Sequence, residues 1–370
     1  MTARRRVAPK LPRKGPGPCI RTVGNGDMFA MHVISLCIPT YNRASLLSEL
    51  LDSILEQDCV DAVEIVISDD ASTDATALTA EAYRPRFRHF KFISQPANIG
   101  IDGNFLAVVA AATSPYIWLM GDDDRLEPGG LRRLLEAIER WPQAVGFTLG
   151  VLDYDVTMSR PVGVRATPPT QVMTGATAVF SSMPELLGFM SALVVKRDHW
   201  NSAIADPTIG AVRNYYVQVV ILGRILGESG QWGVIQTPCV GFRTGNDQLQ
   251  ARHGWLDRLK IDAQAYGEIA DLLFPHAPET RAVIRRRIFN AHIMARITNA
   301  KTMPAPTEGV ASAIVFLAKT YGTLPAFWTR ALPMLLAPKW SIRSARGFYK
   351  KYIRSSGARR ASLGRSASGH

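Results

Sequence analysis

Between residues 32 and 150, apolar runs of strand length alternate with helix-length segments, and three of the strands run straight into polar clusters. No other feature of the chain limits its fold as strongly. Strands joined by helical crossovers lie parallel, and a parallel sheet needs helices on both faces. The predicted strands are 32–38, 63–67, 89–94, 116–120 and 144–151. Ser45 opens a helix whose Leu46, Leu47, Leu50, Leu51, Ile54 and Leu55 share one face, with Ser45 as its cap. Further helices are predicted over 73–83 (capped by Ser72), 103–112 and 128–141, with Asn98, Ile99 and Gly100 forming a turn.

Ligands of such sheets sit beyond the carboxyl ends of the strands. There the chain places Thr40, Tyr41, Asn42 and Arg43, then Asp69 and Asp70, then Asp122, Asp123 and Asp124. Three adjacent carboxylates raise one another's pKa. A divalent cation such as Mg²⁺ or Mn²⁺ removes that cost and shares its oxygen ligands with substrate phosphates. The alternative is a solvated acidic turn that favours the next helix N-terminus. A strand-end carboxylate can read a nucleobase or ribose, or merely cap a helix; we take Asp69 as the ligand and Asp70 as the more structural of the two. Tyr41 either stacks on a base or packs on the sheet edge, and Arg43 either meets a phosphate or is a surface cation.

After Asp153 the pattern loosens: 160–174 reads as a proline-rich loop, 189–195 as an inner strand, 214–226 as a helix and 231–242 as one or two strands. From Trp255 the chain is helical (255–274, 279–300 and 308–321), then apolar with Phe327, Trp328, Leu332, Met334, Leu335, Leu336 and Trp340. No internal repeat is visible. The net charge of +12 resides at the ends: residues 1–30 carry +6 and residues 331–370 carry +9, which leaves about −3 for the body. A near-neutral body argues against a nucleic-acid partner. A tryptophan-bearing segment with a basic end suits an interfacial helix on an anionic membrane, or else a helical appendage packed on the body. No run of about eighteen apolar residues predicts a transmembrane helix, and the Arg/Pro/Gly-rich N-terminus does not read as a secretory signal, so Met28 or Met31 is a candidate start. Cys19, Cys37, Cys59 and Cys239 are scattered and read as thiols of a reducing compartment, not a zinc site or disulfide frame.

Four segments carry a resemblance: ISLCIPTYNR (34–43), IVISDDASTDAT (65–76), Asn98-Ile99-Gly100 and WLMGDDDRLEP (118–128). In order and spacing they resemble the family 2 glycosyltransferases. The GDDD form, with FRTGN at 242–246, is similar to bacterial sugar transferases of the abequosyltransferase type. The resemblance implies an α/β fold of GT-A type, with a mainly parallel central sheet, a Rossmann-like nucleotide-binding half and a C-terminal helical appendage. It places the transferase domain at 32–250 (32–150 for the nucleotide sugar, 151–250 for the acceptor) and a helical, membrane-associating region at 251–353. The ends, 1–31 and 354–370, are expected to be disordered and basic.

The implied reaction moves a hexosyl or deoxyhexosyl group from a nucleotide-diphosphate sugar to a glycan or lipid-linked glycan, inverting and dependent on Mn²⁺ or Mg²⁺. It would serve cell-surface polysaccharide synthesis in the cytoplasm, peripheral to the inner face of the membrane. Pro39, Thr40 and Tyr41 would line the base pocket, with Asp69 reading the pyrimidine and Arg43 near phosphate. Asn98, Gly100 and Asn104 would shape the sugar-nucleotide turn, Asp122 would lie by the ribose, and Asp123 and Asp124 would hold the metal. The chain departs from the pattern where relatives carry an acidic pair, since residues 212–218 contain no acid. Asp206 is therefore the candidate base, with Asp247 as a second choice; each also reads as a loop or capping aspartate. A sugar nucleotidyltransferase is the competing enzyme, although residues 39–44 lack the glycine of a phosphate loop. A degenerate nucleotide-sugar binder is the non-catalytic alternative.

Overall fold

The computed structural model describes residues 32–303 and 308–348, so the expectations for the two ends, 1–31 and 354–370, and for the start at Met28 or Met31 lie outside it. Ten strands form one sheet: β1 (Ile34–Thr40), β2 (Val63–Asp69), β3 (Phe90–Ser94), β4 (Tyr116–Leu119), β5 (Arg125–Leu126), β6 (Gly146–Tyr154), β7 (Pro161–Val164), β8 (Gln171–Thr174), β9 (Leu193–Lys196) and β10 (Gln231–Arg243). Their order is β3-β2-β1-β4-β9-β6-β10-β5, with β7 on β6 and β8 on β10. The pairing is mostly parallel, through β3, β2, β1 and β4 and again between β6 and β10. β9 runs antiparallel to both of its neighbours. The mainly parallel sheet is what the alternation predicts, and the antiparallel pairs of β5, β7, β8 and β9 add to it.

Helices cover β1 and β2 on both faces, which is why their sequences read as apolar runs; the two polar residues within them, Ser35 and Glu64, are buried against each other. The helix Ala44–Leu55 buries Leu47, Leu50, Leu51 and Ile54 on one face, as the spacing predicts. Its cap differs. Ser45 lies inside the helix, and Asp74 Oδ2 accepts from the Ala44 N–H at 3.3 Å. Ser72 does not cap the next helix either. That helix starts at Thr76, whose N–H donates to Asp74 Oδ1 at 2.9 Å. Gly130 opens the helix Gly130–Arg140, and a Cβ there would lie 2.5 Å from the Cys239 carbonyl oxygen; the lack of a side chain lets this helix rest on β10.

The proline-rich segment 160–174 is not all loop, because it contains the edge strands β7 and β8. The C-terminal helices are Gln248–Leu273, kinked at Gly254, then Pro278–Ile288, which continues through a π-helical turn (Phe289–Ile293) into Met294–Thr302. Val310–Tyr321, Leu332–Leu336 and Lys339–Phe348 follow. Tyr266, Ile269, Ile284 and Ile288 share a core with Val179, Phe180 and Leu222, so the first two of these helices are continuous with the sheet's packing, whereas Ile297, Leu317 and Leu335 of the later ones lie in a core of their own. Among the described residues no helix is long and apolar enough to cross a membrane. Cys37 and Cys239 are free and buried.

Candidate active site

Register brings the polar clusters together. Thr40 pairs with Asp69, and Asp69 with Ser94, so β1, β2 and β3 end in one row. The Met120 N–H donates to Cys37 O at 2.9 Å, which carries the acidic turn after β4 to the same rim. There Thr40 Oγ1 donates to Asp122 Oδ2 at 2.8 Å. Arg43 Nη1 lies 3.2 Å from Asp122 Oδ1 and 2.9 Å from Asp123 Oδ2. Asn42, in the left-handed region at φ 53°, accepts from the Thr73 N–H at 2.8 Å and donates its own N–H to Ser72 Oγ at 2.8 Å, locking the loop after β1 to the loop after β2.

A cavity of about 1650 Å³ opens on this rim and is lined by Pro39, Thr40, Tyr41, Arg43, Asp70, Asn104, Asp122, Asp123 and Asp124. Tyr41 is exposed at its edge. Asp69, taken as the ligand, is buried behind the lining and accepts from the Ser72 N–H at 3.3 Å. Asp70 does line the cavity, with its oxygens accepting from the backbone of Ile99 (2.7 Å) and Gly100 (3.1 Å). Asn98 supports this turn through the Asp70 carbonyl at 3.3 Å. Asn104 donates to Ser68 O at 2.9 Å, and its own Oδ1 is buried with no hydrogen-bond partner. Neither Asn98 nor Gly100 lines the cavity.

Burial raises the Asp122 carboxyl to about 7; Arg43 opposes the rise and Asp123 adds to it. Burial, then Asp123, pushes Asp124 well above the usual carboxylate range. Burial therefore disfavours the charged form of both carboxyls, even with Arg43 and Arg243 beside them. Among the described residues no group of three or more His, Cys, Asp or Glu side chains is arranged to hold a metal by itself. Two hard carboxylates whose charged form burial disfavours do fit a cation that completes its shell with phosphate oxygens and water.

Several residues of the site lie in the second half, where sequence motifs are sparse. Ser191 Oγ accepts from the Gly121 N–H at 2.9 Å and donates to Asp124, and its carbonyl takes the Trp118 indole N–H at 2.8 Å. Arg243, buried at the end of β10, donates its backbone N–H to Asp124 Oδ1 (3.3 Å) and Nε to the Asp123 carbonyl (3.0 Å). Asn246 Nδ2 donates to Asp123 Oδ2 at 2.6 Å. Gln248, with its amide oxygen turned inward, accepts from Arg43 Nε and Nη2. Asp247, which stands between them and is the second candidate base, also lines the cavity and accepts from Arg258 Nε at 3.1 Å and from Arg296. The FRTGN segment was the one signal available for this strap.

Asp206 is not brought to the cavity. It sits on a surface loop, accepts from the Thr208 N–H (2.9 Å) and hydroxyl (2.7 Å), and pairs with Arg224 at 3.7 Å. That is the local capping role open to any loop aspartate. Asp153, at the end of β6, does line the cavity. Its Oδ1 accepts from Arg165 Nε at 2.8 Å, and Arg165 is held over the rings of Phe189 (4.4 Å) and Phe242 (4.0 Å).

Residues 35–173 match the family model described as glycosyl transferase family 2. The abequosyltransferase RfbV of Salmonella typhimurium is 30% identical over 257 residues, which cover 65% of this chain and 74% of that protein. A GalNAc(5)-diNAcBac-PP-undecaprenol beta-1,3-glucosyltransferase of Campylobacter jejuni is 33% identical over 107 residues, 29% of this chain and 34% of that protein. The crystal structure of S. aureus TarS 1–349 in complex with UDP-GlcNAc aligns with a TM-score of 0.56 at 16% identity, over 86% of this chain and 92% of that one. The last is a likeness of fold. With four motif segments at the strand ends, a sheet of GT-A type and a relative matched over most of its length, the chain belongs to glycosyl transferase family 2.

Proposed function

We propose that this glycosyltransferase moves a hexosyl or deoxyhexosyl group from a nucleoside-diphosphate sugar to a hydroxyl of a glycan or lipid-linked glycan, inverting the anomeric carbon. The observation that carries the reading is the meeting of Thr40, Arg43, Asn246 and the three carboxylates Asp122, Asp123 and Asp124 on one cavity rim. Asp123 and Asp124 would hold Mn²⁺ or Mg²⁺, which when bound neutralises the departing diphosphate as a Lewis acid. The Arg43 guanidinium orients Asp122 and Asp123 and stands ready for a phosphate oxygen. Thr40 and Tyr41 border the space for the base, and Asn104 Oδ1 is an acceptor still in need of a donor.

For the acceptor's proton we propose Asp153 in place of Asp206. One of its oxygens is fixed by Arg165, and the other has no partner among the described residues, so it can take a proton from a hydroxyl within the cavity. Whether the chain divides near residue 250 into a transferase domain and a membrane-associating helical region also belongs to this proposal. Its membrane-associating part is supported by Trp328, Leu336 and Trp340, which are 54%, 66% and 72% exposed on or shortly before a basic final helix.

The test is a screen of UDP-, GDP-, dTDP- and CDP-sugars for protection against thermal unfolding, with Mn²⁺ and with chelator. The reading predicts that one nucleotide series protects and that chelator removes the effect. No protection by any of them would count against it.

A further inference from the structure

The strap after β10 is gripped by two different parts of the protein. On the donor rim, Asn246 donates to Asp123 Oδ2 at 2.6 Å and Gln248 accepts from Arg43. Between these two residues Asp247 is held by the C-terminal helices, its Oδ2 lying 3.1 Å from Arg258 Nε and 2.5 Å from Arg296 Nη1. We infer that Asp247 is a positioning residue of the donor site, which with Arg258, Arg296 and Asp262 fixes the strap so that Asp123 and Arg43 stand where a cation and a diphosphate need them. The inference rests on the donor reading above and adds the part that the C-terminal helices play in it.

Backbone geometry shows why the strap needs holding. Thr244 still bonds to the sheet, its N–H reaching Tyr154 O at 3.0 Å. Gly245 follows in the left-handed region at φ 86°, where a Cβ would meet nothing nearer than Val156 at 3.9 Å. A glycine in open space turns at little cost, so side chains must set the course of the chain beyond it. Asp247 also caps the helix Gln248–Leu273, with Oδ1 accepting from the Gln250 N–H at 2.8 Å. One carboxylate thus closes the helix start and pins the strap. With both oxygens engaged, it is poorly placed to serve as the base.

The anchor is a balanced set of charges. Arg258 and Asp262 pair one turn apart on that helix, and Arg296 comes from Met294–Thr302 with its Nε 2.9 Å from Asp262 Oδ2. Tyr216, at the start of the helix Val217–Leu226, donates to Asp262 Oδ1 at 2.6 Å and accepts from Arg258 Nη2 at 3.1 Å. His292 Nδ1 stands 3.9 Å from Asp262 Oδ2. Two guanidiniums meet two carboxylates, so neutralising Asp247 leaves one cation uncompensated and the strap unheld. Asp262 is fully buried and cannot touch a substrate. Its influence on the donor rim has to pass through the arginines and Asp247.

Calorimetric titration of the full-length protein with Mn²⁺ and whichever of UDP, GDP, dTDP and CDP binds the wild type tests this. Asp247→Asn keeps the helix cap, since asparagine caps as well as aspartate, and removes the ion pairs. It should bind about ten-fold more weakly, as for a strap in place about a tenth of the time. Asp247→Glu, which restores the charge, should recover most of the affinity. Asp262→Asn, checked as folded by circular dichroism, should move affinity in the same direction as Asp247→Asn. Joined to Asn246→Leu, Asp247→Asn should cost less than the product of the two single losses, because both act on one strap. Unchanged affinity in Asp247→Asn, as a base or a merely structural residue would show, overturns the inference, and so do fully multiplied losses in the double variant. If no diphosphate binds the wild type, the donor reading falls and takes this one with it; if the wild type binds and the variants match it, this one falls alone.

Discussion

The Asn246 side-chain amide donates to the Asp123 carboxylate at 2.6 Å, joining the strap after β10 to the acidic turn after β4. A hydrogen bond to a charged group contributes about 1.5–3 kcal/mol. Asn246→Leu should therefore lower the unfolding free energy by about that amount and, with Asp123 no longer positioned, weaken metal-dependent nucleoside diphosphate binding. Calorimetric titration beside a denaturant curve checks both halves.

Asp153 and Asp206 make opposite predictions. Removing a general base typically lowers turnover by ~10²–10⁴. Asp153→Asn should show that loss in kcat while the donor KM stays within about two-fold, since no donor contact is removed. Asp206→Asn should keep wild-type turnover, because its carboxylate is engaged by Thr208 and Arg224 away from the cavity. Steady-state assays on the two variants separate the assignments.

Asp262 is fully buried, and although burial opposes its ionisation, His292, Arg258 and Arg296 hold its pKa below the usual value. Breaking one partner out of a buried ionic network costs about 3–5 kcal/mol, so Asp262→Asn should lower stability by that order at pH 7. The folded-state pKa is depressed, so the contribution is present above the unfolded value near 3.9 and is lost as pH falls through the folded one. The gap between wild type and variant should hold down to about pH 4 and narrow below it. Urea unfolding at pH 7 and pH 3 measures this.

Much of the first half was legible because parallel strands buried on both faces leave continuous apolar runs, and because register then dictates that Thr40, Asp69 and the turn at Asp122 meet. β7 and β8 were not legible. Each has four residues, with exposed ends and glycine or methionine inside, and between prolines such segments read as loop. Ser72 was misread as a helix cap because a serine before a helical pattern looks the same whether it serves the helix or, as here, Asp69 and Asn42. The charge network of the C-terminal helices was hidden for a different reason. Arg258, Asp262 and Arg296 are charged residues on helices and Asp247 caps one, and a sequence offers no sign that they neutralise one another inside the protein instead of facing water.

Trp328, Leu336 and Trp340 stand exposed beside the basic final helix, and residues 331–370 carry +9. Interfacial tryptophans and lysine or arginine add to membrane affinity, at about 1 kcal/mol per basic residue near an anionic surface. Trp328→Ser with Trp340→Ser should reduce co-sedimentation with vesicles containing phosphatidylglycerol and leave soluble turnover intact. Removing residues 331–370 should abolish it. Unaltered co-sedimentation of both forms would rule out this surface.

The donor site itself faces one direct test: calorimetric titration of the nucleoside diphosphate selected by the thermal screen into wild type and Asp123→Ala, each with Mn²⁺. We predict saturable, chelator-sensitive binding to the wild type and none to the variant, with both showing the same circular dichroism. Equal affinity for the two proteins would contradict the account.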